Sequence, residues 1–414
     1  MANYSTTTIT QKYHDAIVDW QRRNFPELDI LNKYWDDHFK GVPAFELVAK
    51  VGDVKSENVE VGQYAGRKKF EQAREMVGNA FFSARDIVRA QCSTELGSIQ
   101  QHRLTLDQAV SEKGKFAVLR IMAEELRHAY QMFWVLDGDP TWKKPGLGDV
   151  AKQTIEELLS MELGGHVLDA FNIDFADFLD NVTYATVIDL VGKYQLEMQQ
   201  VFSYAPMARS MGPMLQEEAF HLGSGRKLLK EIGQMAARGE GNYSVDDMQR
   251  AMNLWYARGL EMFGNEQGGQ TAVTFGFKDK TNGVAQNEYV EEVRGVVRNT
   301  NVAMVQERIT GISREDAHAL IDEIERSGDP KQGIKPEDIM HLADIKFFRK
   351  RGPEEIIFRP YDVRGELLTE QGRPLTADGY LEYLSSRLPH KFIGSREYNK
   401  YVVAMREGWQ GEQG

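Results

Sequence analysis

The stretches MAEELRHAY (122–130) and LQEEAFHLG (215–223) share one pattern: a pair of glutamates, the second of them three residues before a histidine. On a helix, residues three apart lie on one face, so Glu125 with His128, and Glu218 with His221, can each reach a single metal ion. One such match proves little, because surface helices are rich in glutamate and a solvated face explains it. The two copies stand 93 residues apart, and each is framed by apolar residues: Ile121, Met122, Ala129 and Met132, then Met214, Leu215, Ala219 and Leu222. A charged face framed in this way is costly to bury unless it binds a cation.

A four-helix metal-binding bundle takes a Glu-x-x-His from two helices and one carboxylate from each of the other two. Working outward, Glu95 lies 30 residues before Glu125, in QCSTELGSIQQ, where few other charges compete. Asp189 lies 29 residues before Glu218, inside the apolar run TVIDLVGKYQ. Near-equal offsets are what two repeated helix pairs produce. Glu197 is the rival to Asp189, but its offset of 21 leaves too little chain for a helix end, a turn and a new helix. Carboxylates with two imidazoles suit iron or manganese better than zinc.

Apolar residues at three- and four-residue spacing predict helices at roughly 67–102, 114–137, 147–167, 172–206, 211–238 and 244–264, with two more at 285–309 and 313–327. The breaks fall at LTLDQAVSEKGK, DGDPTWKKPGLGD and APMARSMGP, which carry helix-stopping residues. Ser313 with Asp316 is close to a capping box. Residues 354–376 alternate enough, with Gly at the turn, to suggest a hairpin. The expected fold is mainly α: a ferritin-like four-helix di-iron bundle with extra helices and a small C-terminal hairpin region. The expected division is an N-terminal extension (1–65), a helical metal-binding domain (66–327) and a mixed C-terminal extension (328–414).

Composition narrows the class of protein. A chain of 414 residues with 42% hydrophobic and 27% charged residues can fill a large core. The net charge of −12 argues against a dedicated nucleic-acid or anionic-membrane binder. Cys92 is the single cysteine, so an intrachain disulfide and thiolate zinc or iron–sulfur sites are excluded. The first 25 residues lack the apolar core of a secretory signal, and no run approaches a membrane span. A cytoplasmic location is the expectation.

At these residues the chain resembles a known family, the di-iron oxygenase components of benzoyl-CoA epoxidases, relatives of the phenylacetyl-CoA epoxidase catalytic subunits. The likeness rests on STELGSIQQHR around Glu95, EELRH around Glu125, IDLVGKYQL around Asp189 and EEAFH around Glu218. LWYARGLEMFGNEQGGQTAVTFGFK (254–278) also resembles the family, and the match spans roughly 80–400. The resemblance implies two iron ions held by Glu95, Glu125, His128, Asp189, Glu218 and His221. It further implies epoxidation of the aromatic ring of a CoA thioester by O2, with NADPH acting only through a separate reductase. Association into an oligomer is compatible with this reading. A ferritin-like iron-storage or peroxide-detoxifying protein is the alternative from another class, and a non-catalytic scaffold subunit is a third.

Other residues are placed around this core reading. Gln91, four before Glu95, is a candidate for a hydrogen bond to a ligand or bound oxygen, and Gln195 is a weaker one, off that face; a polar residue satisfied elsewhere is the preferred reading of both. Gly192, one turn after Asp189, either leaves room for an aromatic ring or packs between helices. Glu124 and Glu217 either support the ligands from behind or face solvent. His102 reads as a polar residue at a helix end. His14, His38, His166, His318, His341 and His390 have no ligand spacing. The run KFFRKRG (346–352) is available to CoA phosphates or is a solvated basic turn.

Overall fold

Local capping signals place several helix starts. In the computed structural model, which describes residues 4–264, 266–343, 360–363 and 366–409, the chain is mainly helical. Three short helices, α1 (Gln11–Asn24), α2 (Leu28–Lys33) and α3 (Trp35–His38), precede the long α4 (Asn79–Arg103) and α5 (Glu112–Asp137). Then come α6 (Val150–Leu159), α7 (Phe178–Gln199), α8 (Ala205–Ala237), α9 (Val245–Met262) and α10 (Glu266–Thr274). The chain continues through α11 (Asn282–Arg308), α12 (Arg314–Ser327), α13 (Ala377–Ser385), α14 (His390–Ile393) and α15 (Arg396–Glu407). Serines cap helices in the usual way: Ser111 Oγ accepts from Gly114 N–H, Ser244 from Asp247, Ser313 from Asp316 and Ser395 from Tyr398. Each such cap contributes about 1 kcal/mol.

Short antiparallel pairings complete the elements. β1 (Ser5–Thr7) pairs with β2 (Ala49–Val51), β3 (Lys143–Lys144) with β4 (Gly148–Asp149), and β5 (Thr369–Glu370) with β6 (Arg373–Pro374). The last pair lies within the expected hairpin segment, where Tyr361 and Leu367 also form an antiparallel bridge. Its two-residue loop has positive φ at both Gln371 (52°) and Gly372 (77°), the backbone that a tight hairpin turn requires.

Three helix expectations are corrected. The helix expected from 67 starts only at Asn79, after Gly78 with φ 58°. The helix expected over 147–167 is confined to Val150–Leu159, followed by irregular chain and a 3-10 turn at Asp169–Asn172. The break expected at 205–213 is helical, because α8 starts at Ala205 and holds Pro213 in its interior. A proline there removes the N–H that would bond the carbonyl four residues back. That carbonyl, of Arg209, instead accepts the backbone N–H of Gly52 at 3.0 Å, so no buried acceptor is stranded.

Contacts divide the chain into two compact units. The first comprises Met1–Phe175, Gly192–His221 and Glu266–Ala285. Its centre is the α4–α5 pair, where Phe81, Ala84, Val88, Cys92, Leu96 and Ile99 of α4 are buried at helical spacing. α5 is buried on nearly every side from Phe116 to Leu136. Each fully buried Leu or Phe there stabilises the fold by roughly 1.5–3 kcal/mol relative to exposure. Gly192 of α7 lies beside α8 in this unit: a Cβ at 192 would stand 3.6 Å from Glu218 Oε1.

The second unit comprises Ala176–Val191, Leu222–Asn265 and Gln286–Gly414. Val302, Val305, Leu320, Ile321 and Ile324 of α11 and α12 form a core that Ile334 and Ile339 close. Arg258 of α9 makes buried ion pairs with Glu261 and with Glu397 of α15, both at 3.0 Å. Gly225 of α8 lies so close to α7 that a Cβ would fall 2.7 Å from the Ala185 carbonyl. Among the described residues no helix is long and apolar enough to cross a membrane.

Candidate metal centre

α4 carries Gln91 and Glu95 on one face, and α5 carries Glu124, Glu125 and His128. Glu217, Glu218 and His221 lie on α8, and Asp189 on α7. All six expected ligands are buried, at 6% exposure or less. Charged groups so deep need partners, and the geometry supplies them in two layers.

The inner layer is a ring of carboxylates facing two imidazole nitrogens. His128 Nδ1 lies 3.5 Å from Glu95 Oε2 and 3.8 Å from Glu218 Oε1. His221 Nδ1 lies 3.5 Å from Glu218 Oε2 and 3.9 Å from Glu125 Oε1. Glu218 therefore presents one oxygen to each histidine, and the two rings sit 5.7 Å apart. Ligand atoms of Glu125, Asp189 and His221 all fall within 4.8 Å of one another. Atoms sharing one ion at about 2.1 Å stand roughly 3–3.5 Å apart, so these separations need little adjustment to close on a cation. His128 Nδ1 and Glu218 Oε2 are buried without a hydrogen-bond partner, which fits a metal site.

α7 and α8 pack closely at two places. The helices approach at Ala185–Gly225 and again at Gly192–Glu218. Asp189 lies between the first members of those pairs and His221 between the second. One turn of helix separates Asp189 from Gly192 and His221 from Glu218.

The outer layer crosses between the two motifs. Glu217 Oε2 stands 3.1 Å from His128 Nε2, and Glu124 Oε2 stands 3.2 Å from His221 Nε2. Each motif's first glutamate thus holds the far nitrogen of the other motif's histidine and turns its Nδ1 inward. Arg127 makes a two-pronged contact with Glu217, at 2.5 and 3.2 Å, and Lys50 Nζ pairs with the same carboxylate. Arg120 Nε donates to Glu124 Oε1 at 3.0 Å, and its guanidinium lies 3.7 Å from the Phe220 ring centre.

These neighbours set the protonation. Burial disfavours a charged His128, but its hydrogen bond to Glu217 and the adjacent Glu95 carboxylate outweigh it and raise its pKa to about 10. Burial also opposes a charged His221, yet Glu218 and Glu124 hold its pKa well above the ordinary value. Desolvation works against the Glu217 carboxylate, while His128, Arg127 and Lys50 pull its pKa well below the usual range.

The remaining expected residues divide. Gln91 Nε2 donates to Glu95 Oε1. Gln195 Oε1 accepts from the buried Lys278 at 2.7 Å. Glu197 is partly exposed and lies 3.9 Å from Lys193. His166 lies buried against α4, 2.9 Å from Gln100 and 3.2 Å from Ser93, and burial lowers its pKa to about 4. The basic run at 346–352 lies outside the described residues, as does the start of the expected hairpin at 354–359. Sequence reasoning did not find Lys50, Arg120 or Arg127, nor the crossing of Glu124 and Glu217. The doubled glutamate in both motifs was the signal available for the crossing.

The model of the family described as phenylacetic acid catabolic protein matches residues 146–347, a span holding Asp189, Glu218 and His221. Benzoyl-CoA oxygenase component B of Aromatoleum evansii is 25% identical over 252 residues, 56% of this chain and 50% of that protein. The chain therefore spans about half the length of this curated relative.

Proposed function

We propose that this chain, related to the phenylacetic acid catabolic proteins and like benzoyl-CoA oxygenase component B, is the oxygenase component of an aryl-CoA-oxidising system. Its metal centre holds two iron ions through Glu95, Glu125, His128, Asp189, Glu218 and His221. One oxygen atom of O2 enters the aromatic ring of the thioester as an epoxide, and the other leaves as water. NADPH supplies the two electrons through a separate reductase; the relative's name marks that protein as one component of several.

The observation that carries this reading is the pair of inward-facing imidazole nitrogens, each 3.5–3.9 Å from two carboxylates, with Glu218 shared between them. Glu95, His128 and Glu218 suit one ion; Glu125, Asp189, His221 and Glu218 suit the other. Bound ferrous iron supplies the reductive activation of O2 that an organic side chain cannot. The protein's part is to balance the ions with four carboxylates, fix both imidazoles from behind and keep bulk water from the reacting atoms. Gly192 leaves open the space beside Glu218 where a side chain would otherwise stand.

The test is anaerobic iron loading followed by oxygen uptake with a chemical or enzymatic reductant, across benzoyl-, phenylacetyl- and aliphatic CoA thioesters. Two irons per chain and aryl-thioester-dependent oxygen consumption are expected. Less than about half an iron per chain overturns the metal assignment. Strong iron binding with oxygen use indifferent to every thioester overturns the oxygenase reading in favour of iron storage.

A further inference from the structure

Residues 46–52, far from the ligand helices in sequence, tie together the two helices that carry the Glu-x-x-His motifs. The Glu46 carbonyl accepts from Arg127 Nη1 of α5 at 3.3 Å. Lys50 N–H donates to Gln131 Oε1 of α5 at 2.7 Å, and Gln131 Nε2 donates to Ser210 Oγ of α8 at 2.9 Å. Gly52 N–H reaches the Arg209 carbonyl of α8, the acceptor released by Pro213. β1 backs the segment through its pairing with β2. From this strand Lys50 extends its ammonium to Glu217, the carboxylate that holds His128 Nε2.

The other histidine is supported differently. Glu124, behind His221, is braced by Arg120 of its own helix four residues away, and Arg127 Nη2 lies 3.9 Å from the same Glu124 oxygen. That support is local to α5, whereas the support behind His128 includes a cation delivered from outside the ligand helices. Glu217 has two oxygens and three cationic or imidazole partners, so removing Lys50 frees it to rotate toward Arg127 and away from His128.

We infer that Lys50 is a positioning residue for one half of the metal centre. Carried on the 46–52 strap, it clamps Glu217 against His128 Nε2 so that Nδ1 faces the ion shared with Glu95 and Glu218. The inference rests on the two-ion reading above and adds that the two ions depend unequally on the N-terminal part of the chain. The ion held by His128 needs the strap, and the ion held by His221 does not.

The experiment is an anaerobic titration of the metal-free chain with Co(II), following stoichiometry and the visible ligand-field spectrum. Wild type should take up two ions. Lys50→Met should bind one ion about tenfold more weakly and lose its share of the spectrum, with the second ion unchanged. Lys50→Arg, which keeps the charge, should restore both. Glu124→Gln should weaken the opposite ion, giving a complementary spectral loss. If Lys50→Met does not fold, Lys50→Gln is read in the same way. Two ions bound by Lys50→Met with wild-type affinity and spectrum overturn the inference while leaving the di-metal reading intact. Equal weakening of both ions also overturns it, since that is what general loosening produces. Failure of wild type to bind Co(II) or iron overturns the two-ion reading itself, and the inference with it.

Discussion

Glu217 Oε2 lies 3.1 Å from His128 Nε2, on a helix whose sequence repeats the motif to which His128 belongs. Glu124 and His221 repeat the contact in the opposite sense at 3.2 Å. Each inward-facing imidazole is thus held by the first glutamate of the other motif. The two motifs are interdependent, and neither makes a complete site alone.

Removing that carboxylate should act on metal binding before it acts on folding. Glu217→Gln is expected to weaken one of the two ions by about 10- to 100-fold, because the amide can present its NH2 rather than an acceptor to His128 Nε2. Competition with a chelator of known affinity reads the change. Unaltered affinity for both ions would mean that the contact does not orient His128.

Asp189 and Glu197 should separate cleanly. Asp189 is buried beside Glu125 and His221, and Glu197 is partly exposed near Lys193. Asp189→Ala should bind one fewer iron per chain, and Glu197→Ala should bind the wild-type amount. Iron assay after gel filtration decides it, and the reverse pattern would place the ligand one helical register away.

Metal uptake should release protons. Both imidazoles hold their protons more tightly than usual, His128 with a pKa of about 10, and a bound cation must displace the proton from each Nδ1. Affinity should therefore rise with pH from 6 toward 9. Calorimetry in buffers of different ionisation enthalpy counts the protons released. A buffer-independent heat would contradict the proposed ligand atoms.

Lys278 makes a separate pH signature. Its ammonium is buried and bonds to the amide oxygens of Gln195 and Asn282, at 2.7 and 3.2 Å. Desolvation lowers its pKa from 10.5 to about 8. Between those values the unfolded chain binds more protons than the folded one, so stability should climb as pH rises from 8 to 10.5. The full effect is roughly 3 kcal/mol. Denaturant unfolding of wild type and Lys278→Met across this window isolates it; parallel pH curves would show that Lys278 is solvated.

Much of the candidate site was legible because the relevant geometry is local. A residue pair three apart on a helix shares a face whatever the rest of the chain does, so the Glu-x-x-His pairs could be read directly. Serine caps are equally local, which is why the starts of α9 and α12 fell close to expectation. Pro213 misled for the same reason. Its local message is a break, and only the distant Gly52 N–H makes an intact helix tolerable there.

The sequence by itself determined a mainly helical chain with two matched Glu-x-x-His helices and an ordered set of carboxylates at near-equal offsets. Those follow from helical periodicity, which needs no knowledge of neighbours. The tertiary structure decided which carboxylate stands behind which histidine, that Glu218 is shared, and that Lys50 reaches the centre from the N-terminal strand. Such contacts join residues 89 to 167 positions apart, and they depend on the register between packed helices, which local spacing does not encode.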